Sequence, residues 1–177
     1  IFVGLNSLDM KEIRFIAIIL TICFFYYGCT KDNPIILKEV EDVCEQMDDI
    51  KFMKYCYSKF DVNSDGKVSM TEAAAVRKID VERSIITSLN GIEYFTNLEE
   101  LYCTNNNLTA LDVSKNIALT ELFCNDNNLT ALDVSKNVKL TVLNLGYNEI
   151  TNIDVSKNVA LTELSCDHNN LTALDVS

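Results

Sequence analysis

The stretch LEELYCTNNNLTALDVSKNIA, residues 98–118, is followed by LTELFCNDNNLTALDVSKNVK, residues 119–139, and this 21-residue pattern continues to the end of the chain. Four positions of the pattern are nearly constant: Leu98, Leu119, Leu140 and Leu161; Leu101, Leu122, Leu143 and Leu164; Cys103, Cys124, Leu145 and Cys166; Asn106, Asn127, Asn148 and Asn169. Self-similarity at a fixed period of this length is the sequence signature of stacked repeats. The period therefore decides the fold.

The spacing resembles the leucine-rich repeat, in which LxxLxCxxNxL recurs in register. Residues 76–97 form a divergent first unit, because Ile79 precedes Leu101 by 22 positions. The apolar residues at every third place in 92–98 resemble the repeats of internalin-like bacterial surface proteins.

This resemblance implies an α/β repeat solenoid over residues 76–177 that is rich in strands and carries a parallel sheet on its concave face. One unit buries too few apolar side chains to fold alone, so the units must stack and their ends need caps. The repeated asparagines are predicted to turn inward and bond backbone groups at the bend after each strand. The last unit stops short of its period at Ser177, so we expect the solenoid to be C-terminally incomplete.

Residues 1–28 are predicted to be a signal peptide, with Met10 as the true start. The apolar run at 15–25 follows charged residues and is too short to span a bilayer. The Gly-Cys pair that ends at Cys29 resembles the lipobox of bacterial lipoproteins. The resemblance implies a lipid on Cys29, a tether over 29–33, and a surface-exposed place on the outer membrane. A buried core helix is the alternative.

Residues 34–75 are predicted to form a helical cap on the solenoid. The Asn-Pro pair at 33–34 is typical of a helix start, and apolar residues follow at helical spacing as far as Met47. A second helix is predicted after Asp49, and an exiting helix over 71–77. Both of the first two helices have an apolar face that needs a surface to cover.

A twelve-residue stretch inside the cap, residues 61–72, resembles the EF-hand calcium loop. The ligands implied are Asp61, Asn63, Asp65, the backbone carbonyl of Lys67, Ser69 and Glu72. Gly66 stands where the loop turns sharply. A solvated acidic turn is the alternative. Because EF-hands usually occur in pairs, one loop alone is more typical of a structural calcium site than of a sensor.

The charge of the chain limits its partners. The 177 residues contain 15 Lys plus Arg and 26 Asp plus Glu, which gives a net charge of -11. The chain lacks the positive charge that binding to a phosphate backbone requires, so nucleic acid is not expected as a partner. A membrane is therefore expected as a partner only through the lipid anchor, whereas cationic proteins, divalent ions and neutral glycans remain open.

The seven cysteines do not form a disulfide pattern. Cys103, Cys124 and Cys166 occupy one inward repeat position and are interpreted as buried thiols. A bridge between adjacent units is the alternative. Cys44 and Cys56 are a further candidate pair, which an oxidising compartment and a helical hairpin would permit.

Comparison of the units separates the scaffold from a variable surface. Three outward columns near the strands differ from unit to unit, and we expect them to bind the ligand on the concave face. These positions are Glu100, Glu121, Val142 and Glu163; Tyr102, Phe123, Asn144 and Ser165; and Asn105, Asp126, Tyr147 and His168. Aromatic and acidic residues in such a patch are suited to protein contact. Free drift at unconstrained positions is the alternative interpretation.

No enzyme is predicted. Neighbouring Glu100 and Glu121 are interpreted as a solvated acidic stripe, and Ser165, Asp167 and His168 are not expected to assemble as a triad because strand neighbours face opposite ways.

The sequence therefore predicts a surface-anchored leucine-rich repeat protein that binds a protein or glycan and mediates adhesion, with calcium stabilising its cap. The alternatives are the non-catalytic anchoring module of a larger enzyme and a calcium-stabilised structural protein without a dedicated ligand.

Overall fold

The computed structural model describes residues 41–172, and all of them belong to one compact unit that spans Val40–Ser177. The predicted signal peptide 1–28, the lipidation site Cys29 with its tether 29–33, and the helix start at 33–34 lie outside the described residues.

Five short strands form one parallel sheet in chain order. They are β1 (Lys78–Asp80), β2 (Glu100–Tyr102), β3 (Glu121–Phe123), β4 (Val142–Asn144) and β5 (Glu163–Ser165). Leu101 pairs with Ile79 on one side and with Leu122 on the other, so the register advances by one whole unit per strand. The predicted parallel solenoid is confirmed, and residues 76–97 are its first unit, or rung.

The middle residue of each strand points into the core because successive side chains alternate between the two faces of a strand. Leu101, Leu122 and Leu143 have 0% of their side chains exposed. Burial of one such side chain contributes about 2 kcal/mol. Leu164, in the last described rung, is partly buried.

Asn127 and its equivalents close the bend after each strand. Its Nδ2 donates to the carbonyl oxygens of Cys103 and Cys124, at 3.0 Å each, and its Oδ1 accepts the Leu108 N–H at 3.0 Å. The same contacts to the preceding rung recur at Asn106, Asn148 and Asn169. The prediction that these asparagines turn inward to backbone groups is confirmed.

A second asparagine column was not predicted. Asn116, Asn137 and Asn158 are buried in the turn that follows each Ser-Lys pair. The Asn137 Nδ2 donates to the carbonyls of Val113 and Asn116, at 3.0 and 2.9 Å. Two columns of carboxamides therefore join each rung to the one before it.

Two α-helices precede the sheet. They are α1 (Ile50–Phe60) and α2 (Met70–Ala75). The helix predicted to run to Met47 is wrong where the chain is described, because Val43–Gln46 is one turn of 3-10 helix. The Asp42 side chain accepts the N–H groups of Cys44 and Val68, and these bonds hold the segment in a turn.

The exiting helix is shorter than predicted. It ends at Ala75 because Val76 is extended and β1 begins at Lys78. At its start, Ser69 and Glu72 form a capping box, in which each side chain bonds the backbone N–H of the other.

An aromatic cluster joins the helices to the first rung. Phe95, which lies in the turn before β2, is fully buried. Its ring centroid lies 5.4 Å from that of Phe60 and 6.5 Å from that of Phe52. Close packing extends to Gly91, where a Cβ would lie 2.6 Å from the Met47 side chain.

Asp49 makes a second connection between α1 and the first rung. Its Oδ1 accepts the N–H groups of Lys51 and Phe52 at the start of α1. Its Oδ2 accepts the N–H and the hydroxyl of Thr87, at 2.8 and 2.9 Å. Burial by itself raises the pKa of Asp49, but these hydrogen bonds outweigh it, so that the pKa lies below the ordinary value of 3.8.

We expect Asp49 to make stability depend on pH. Because its pKa is lower in the folded chain, its contribution is present above the unfolded pKa and is lost as the pH falls from about 4 through the folded pKa. Urea denaturation of the parent and of Asp49→Asn between pH 3 and 6 should show a difference that shrinks on acidification. The neighbouring, exposed Asp48→Asn is the control. A difference that does not change with pH would contradict this role.

From rung 2 onward, the side of each rung away from the sheet is built of turns, and no helix is present there in the described part. Within residues 41–172, no helix has the length and apolar character needed to cross a membrane.

Candidate functional site

The outward surface of the sheet and of the bends that follow it is the candidate binding site. We call this surface the strand face. It comprises the columns Lys78, Glu100, Glu121, Val142 and Glu163; Asp80, Tyr102, Phe123, Asn144 and Ser165; and Arg83, Asn105, Asp126, Tyr147 and His168. All twelve residues predicted for the ligand face lie in these columns, and none is buried.

Lys78, Asp80 and Arg83 were missed because the prediction began at the regular repeats. The alignment of Ile79 with Leu101 contains the necessary signal, since Lys78 and Asp80 flank Ile79 as Glu100 and Tyr102 flank Leu101.

Tyr102 and Phe123 form a stacked pair on this face. Their ring centroids lie 5.0 Å apart and their planes differ by 15°. The Tyr102 hydroxyl donates to Glu121 Oε2 at 2.5 Å, and this bond raises the pKa of Tyr102 above its ordinary value. The Lys78 ammonium lies 4.1 Å from the Tyr102 ring centroid and 3.1 Å from Glu100 Oε2.

A second stacked pair is formed by Tyr147 and His168. Their centroids lie 4.0 Å apart and their planes differ by 9°. Both residues have positive φ, near +53°, as do Arg83, Asn105 and Asp126 in the same column. Asn and Asp tolerate this left-handed backbone readily, whereas a bulky tyrosine there is an outlier. Because the left-handed backbone recurs in every rung, it belongs to the bend itself. Tyr147 is a candidate contact residue because it is 51% exposed.

Ser165 and His168 both contact Asp167, although the alternation of strand side chains predicted opposite faces. As expected, they do not form a triad. The Ser165 hydroxyl donates to Asp167 Oδ1 at 2.8 Å, and His168 Nδ1 lies 2.7 Å from Asp167 Oδ2. The carboxylate is central and contacts both partners, so this arrangement differs from a triad, in which the histidine contacts the hydroxyl. The absence of a side chain at Gly146 makes room for it, since a Cβ there would lie 2.9 Å from Asp167 Oδ1.

The strand face of rungs 2 to 5 carries carboxylates and neither lysine nor arginine. Five carboxylates lie on or beside the strand face, namely Glu100, Glu121, Asp126, Glu163 and Asp167. The turns away from the strands carry charges of both signs, namely Lys115, Lys136, Lys139 and Lys157 with Asp112, Asp133 and Asp154. The strand face of these rungs is therefore acidic.

The loop 61–72 is the candidate metal site. Asp61 accepts the N–H groups of Asp65 and Gly66 with its two oxygens, at 3.1 and 3.0 Å. Gly66 has φ +82°, which a sharp turn of this kind requires. Glu72 Oε1 accepts the Val62 N–H at 3.0 Å, so its carboxylate reaches back to the start of the loop.

The donor groups of this loop fit calcium in kind and in order, because they are hard oxygens at the EF-hand positions. In the structure these oxygens accept hydrogen bonds from N–H groups of the same loop, and these bonds close the loop. Ser69 and Glu72 bond each other, and the Lys67 ammonium pairs with Glu41 at 3.1 Å. Within residues 41–172, no three Asp, Glu, His or Cys side chains are grouped as metal ligands.

The cysteines of the described chain are free thiols, so neither of the disulfides considered is formed. Cys103 and Cys124 are fully buried, and burial raises the pKa of Cys124 to about 12. Cys44 and Cys56 contact each other in the core between the helices and the 3-10 turn, and that hydrogen bond and burial raise the pKa of Cys56. Protonated, buried thiols of this kind are inert.

No established protein-family profile matches the chain. Internalin J of Listeria monocytogenes serotype 4b (strain F2365) is 43% identical over 68 residues, which are 38% of this chain and 7% of Internalin J. The solved functional domain of InlJ from Listeria monocytogenes, which includes a cysteine ladder, is 40% identical with a TM-score of 0.73. That match covers 77% of this chain and 30% of the InlJ structure.

The solved internalin InlF from Listeria monocytogenes strain 4b F2365 has a TM-score of 0.63 at 21% identity and covers 76% of this chain and 47% of InlF. This likeness shows the fold alone. The chain spans under a third of the solved InlJ domain and under a tenth of Internalin J. The described part of the chain is therefore a leucine-rich repeat solenoid similar to that of InlJ.

Proposed function

We propose that this protein is a cell-surface recognition protein that mediates adhesion by binding a protein or glycan ligand on its strand face. The observation that carries this proposal is the contrast between an invariant scaffold and a varied surface. Leu101, Leu122 and Leu143 are buried and identical, whereas the residues beside them in the sheet change from rung to rung. Exposed aromatic side chains of the kind found in protein interfaces lie among them.

A crosslinking experiment tests the proposal. A photoreactive amino acid placed at Tyr147, on the strand face, should form adducts with a surface ligand, whereas the same amino acid at Lys157, in a turn on the other side, should not. Replacement of Tyr102, Phe123 and Tyr147 by alanine should reduce ligand recovery by about tenfold or more, because aromatic anchors dominate binding energy. Equal adducts from both positions, or equal recovery by the triple variant, would contradict a strand-face site.

We further propose that calcium binds the loop 61–72 and stabilises the helices that cap the first rung. Two observations support this proposal. The oxygen donors follow the order of the EF-hand positions, and a hydrogen bond joins the loop to the buried 3-10 turn. Val43 donates to the Val68 carbonyl at 2.9 Å, and Val68 is fully buried. A bound ion would therefore hold the loop against residues that pack on the solenoid. Extracellular sites of this kind fill at about 10⁻⁴–10⁻³ M calcium.

Addition of 10 mM calcium is expected to raise the free energy of unfolding by about 1.5–3 kcal/mol, since an ion that binds only the folded state stabilises it by mass action. Differential scanning calorimetry with equal magnesium as the control measures this effect. The variant Glu72→Gln should abolish the increase, because glutamine loses the bidentate carboxylate while it still serves in a capping box. A transition temperature that calcium leaves unchanged would contradict the proposal.

Anchoring belongs to the same proposal. The lipobox-like pair that ends at Cys29 supports attachment to the outer membrane through a lipid. Cells that express the full chain should incorporate a labelled fatty acid into the protein, and Cys29→Ser should lose the label. Labelling that survives in Cys29→Ser would exclude this anchor.

A further inference from the structure

We propose that the ligand of the strand face is a protein that presents lysine or arginine side chains, which are bound between aromatic rings and carboxylates. This inference rests on the proposed function, because it names the ligand chemistry for the same face. A glycan is the competing class, and the experiment below distinguishes the two.

The chain's own Lys78 shows the mode of binding. Its ammonium lies over the Tyr102 ring, 4.1 Å from the centroid, and pairs with Glu100 Oε2 at 3.1 Å. A cation above an aromatic face is attracted by the electron density of the ring. Tyr102, Glu100 and Glu121 together therefore form a cation-binding site. Lys78 is an exposed side chain, and exposed ion pairs are weak, so a partner's cation can displace it.

The second aromatic pair repeats this chemistry without a lysine of its own. Tyr147 is 51% exposed and stacks on His168, which contacts the Asp167 carboxylate. Asp126 stands one rung before Tyr147 in the same column. Its N–H donates to the carbonyl oxygen of Gly146, the residue that precedes Tyr147. An exposed ring with carboxylates on the neighbouring positions again provides both components of a cation site.

The charge distribution selects the partner. Five carboxylates lie on or beside the strand face of rungs 2 to 5, and the lysines of these rungs are on the other side. Such a surface attracts basic segments and repels anionic ones, including acidic glycans. Neutral glycans have no charge for this field to act on. A basic protein segment is thus the ligand that uses both the rings and the carboxylates.

The test is fluorescence anisotropy of a fluorescein-labelled octa-arginine peptide with the full chain. The double variant Glu100→Gln/Glu121→Gln should bind about tenfold more weakly than the parent. Glu45→Gln/Glu93→Gln changes the net charge equally but away from the strand face, since Glu93 lies in the turn at 92–94, and it should lose less than about twofold. Lys78→Ala should bind the peptide about threefold more tightly, because Lys78 no longer occupies the cation-binding site. Lys157→Ala, with the same charge change, should bind nearly as the parent does.

Two results would overturn the inference: equal losses in the two glutamine variants, or no gain for Lys78→Ala beyond that of Lys157→Ala. The proposed function is judged separately by the crosslinks from Tyr147. Crosslinks that persist in Glu100→Gln/Glu121→Gln, or that capture a neutral glycan in place of a protein, would leave the strand-face site standing and refute the basic ligand.

Discussion

Replacement of Asn127 by alanine is expected to reduce the free energy of unfolding by about 3–5 kcal/mol. The buried carboxamide bonds the Leu108 N–H and the carbonyls of Cys103 and Cys124. Alanine leaves the buried Leu108 N–H without a partner, which costs about 1–3 kcal/mol. Each carbonyl loses one of its two carboxamide donors, at about 1 kcal/mol per bond, because Asn106 and Asn148 still donate to Cys103 and Cys124. Urea denaturation followed by circular dichroism measures the loss.

The adjacent Asn128 provides a matched control. It is exposed, so Asn128→Ala should change stability by about 0.5 kcal/mol or less. The two substitutions remove the same atoms one residue apart. Similar losses from both would show that the bend is held by something other than the inward carboxamide.

Replacement of Phe95 by alanine should cost about 3–5 kcal/mol, because a fully buried ring is lost and a cavity remains. The cavity opens between the first rung and the helix that carries Phe52 and Phe60. Hydrogen exchange should therefore show that the amides of α1 lose protection before those of β3.

Phe123→Ala is the control for this second substitution. Phe123 is only partly buried and stacks on Tyr102, so its loss should cost about 1 kcal/mol and leave α1 protected. Uniform loss of protection across the helices and the sheet in Phe95→Ala would mean that the helices do not unfold as a separate unit.

The repeated part of the fold was predictable because its determinants recur within each unit. Leu101 and Asn106 stand at fixed places in a period, and each needs only the same residue one period away to complete its contacts. The strand register, the inward asparagines and the predicted columns of the strand face follow from that regularity. Asn116 and Asn137 recur in the same way, and their role was missed because asparagine in a Ser-Lys-Asn turn is equally typical of solvent-exposed loops.

The helical segment was harder to predict because its determinants are distant in sequence. Val43, Cys44 and Met47 are spaced as on one helix face, but a single 3-10 turn buries them equally well. The contact that selects the turn joins Asp42 to Val68, 26 residues away. No local pattern contains that information.

Side-chain pairing on the strand face was likewise beyond the sequence pattern. The columns were predicted, but the contact of Asp167 with Ser165 and His168 depends on the space left by Gly146 in the neighbouring rung. The position of Lys78 over Tyr102 likewise depends on how two adjacent rungs are placed relative to each other.

The register of the parallel sheet is the same between rungs 2 and 5, so equivalent positions on the strand face are separated by whole multiples of the strand spacing. Neighbouring strands are spaced by about 4.8 Å, so a duplicated 21-residue segment inserted between Phe123 and Tyr147 during evolution would move the two aromatic pairs apart by that increment. Such an event preserves every bond between rungs, because each new rung offers the same groups as the old one. Gene duplication within this chain can therefore adjust the reach of the surface in discrete steps, and single substitutions can then change its chemistry.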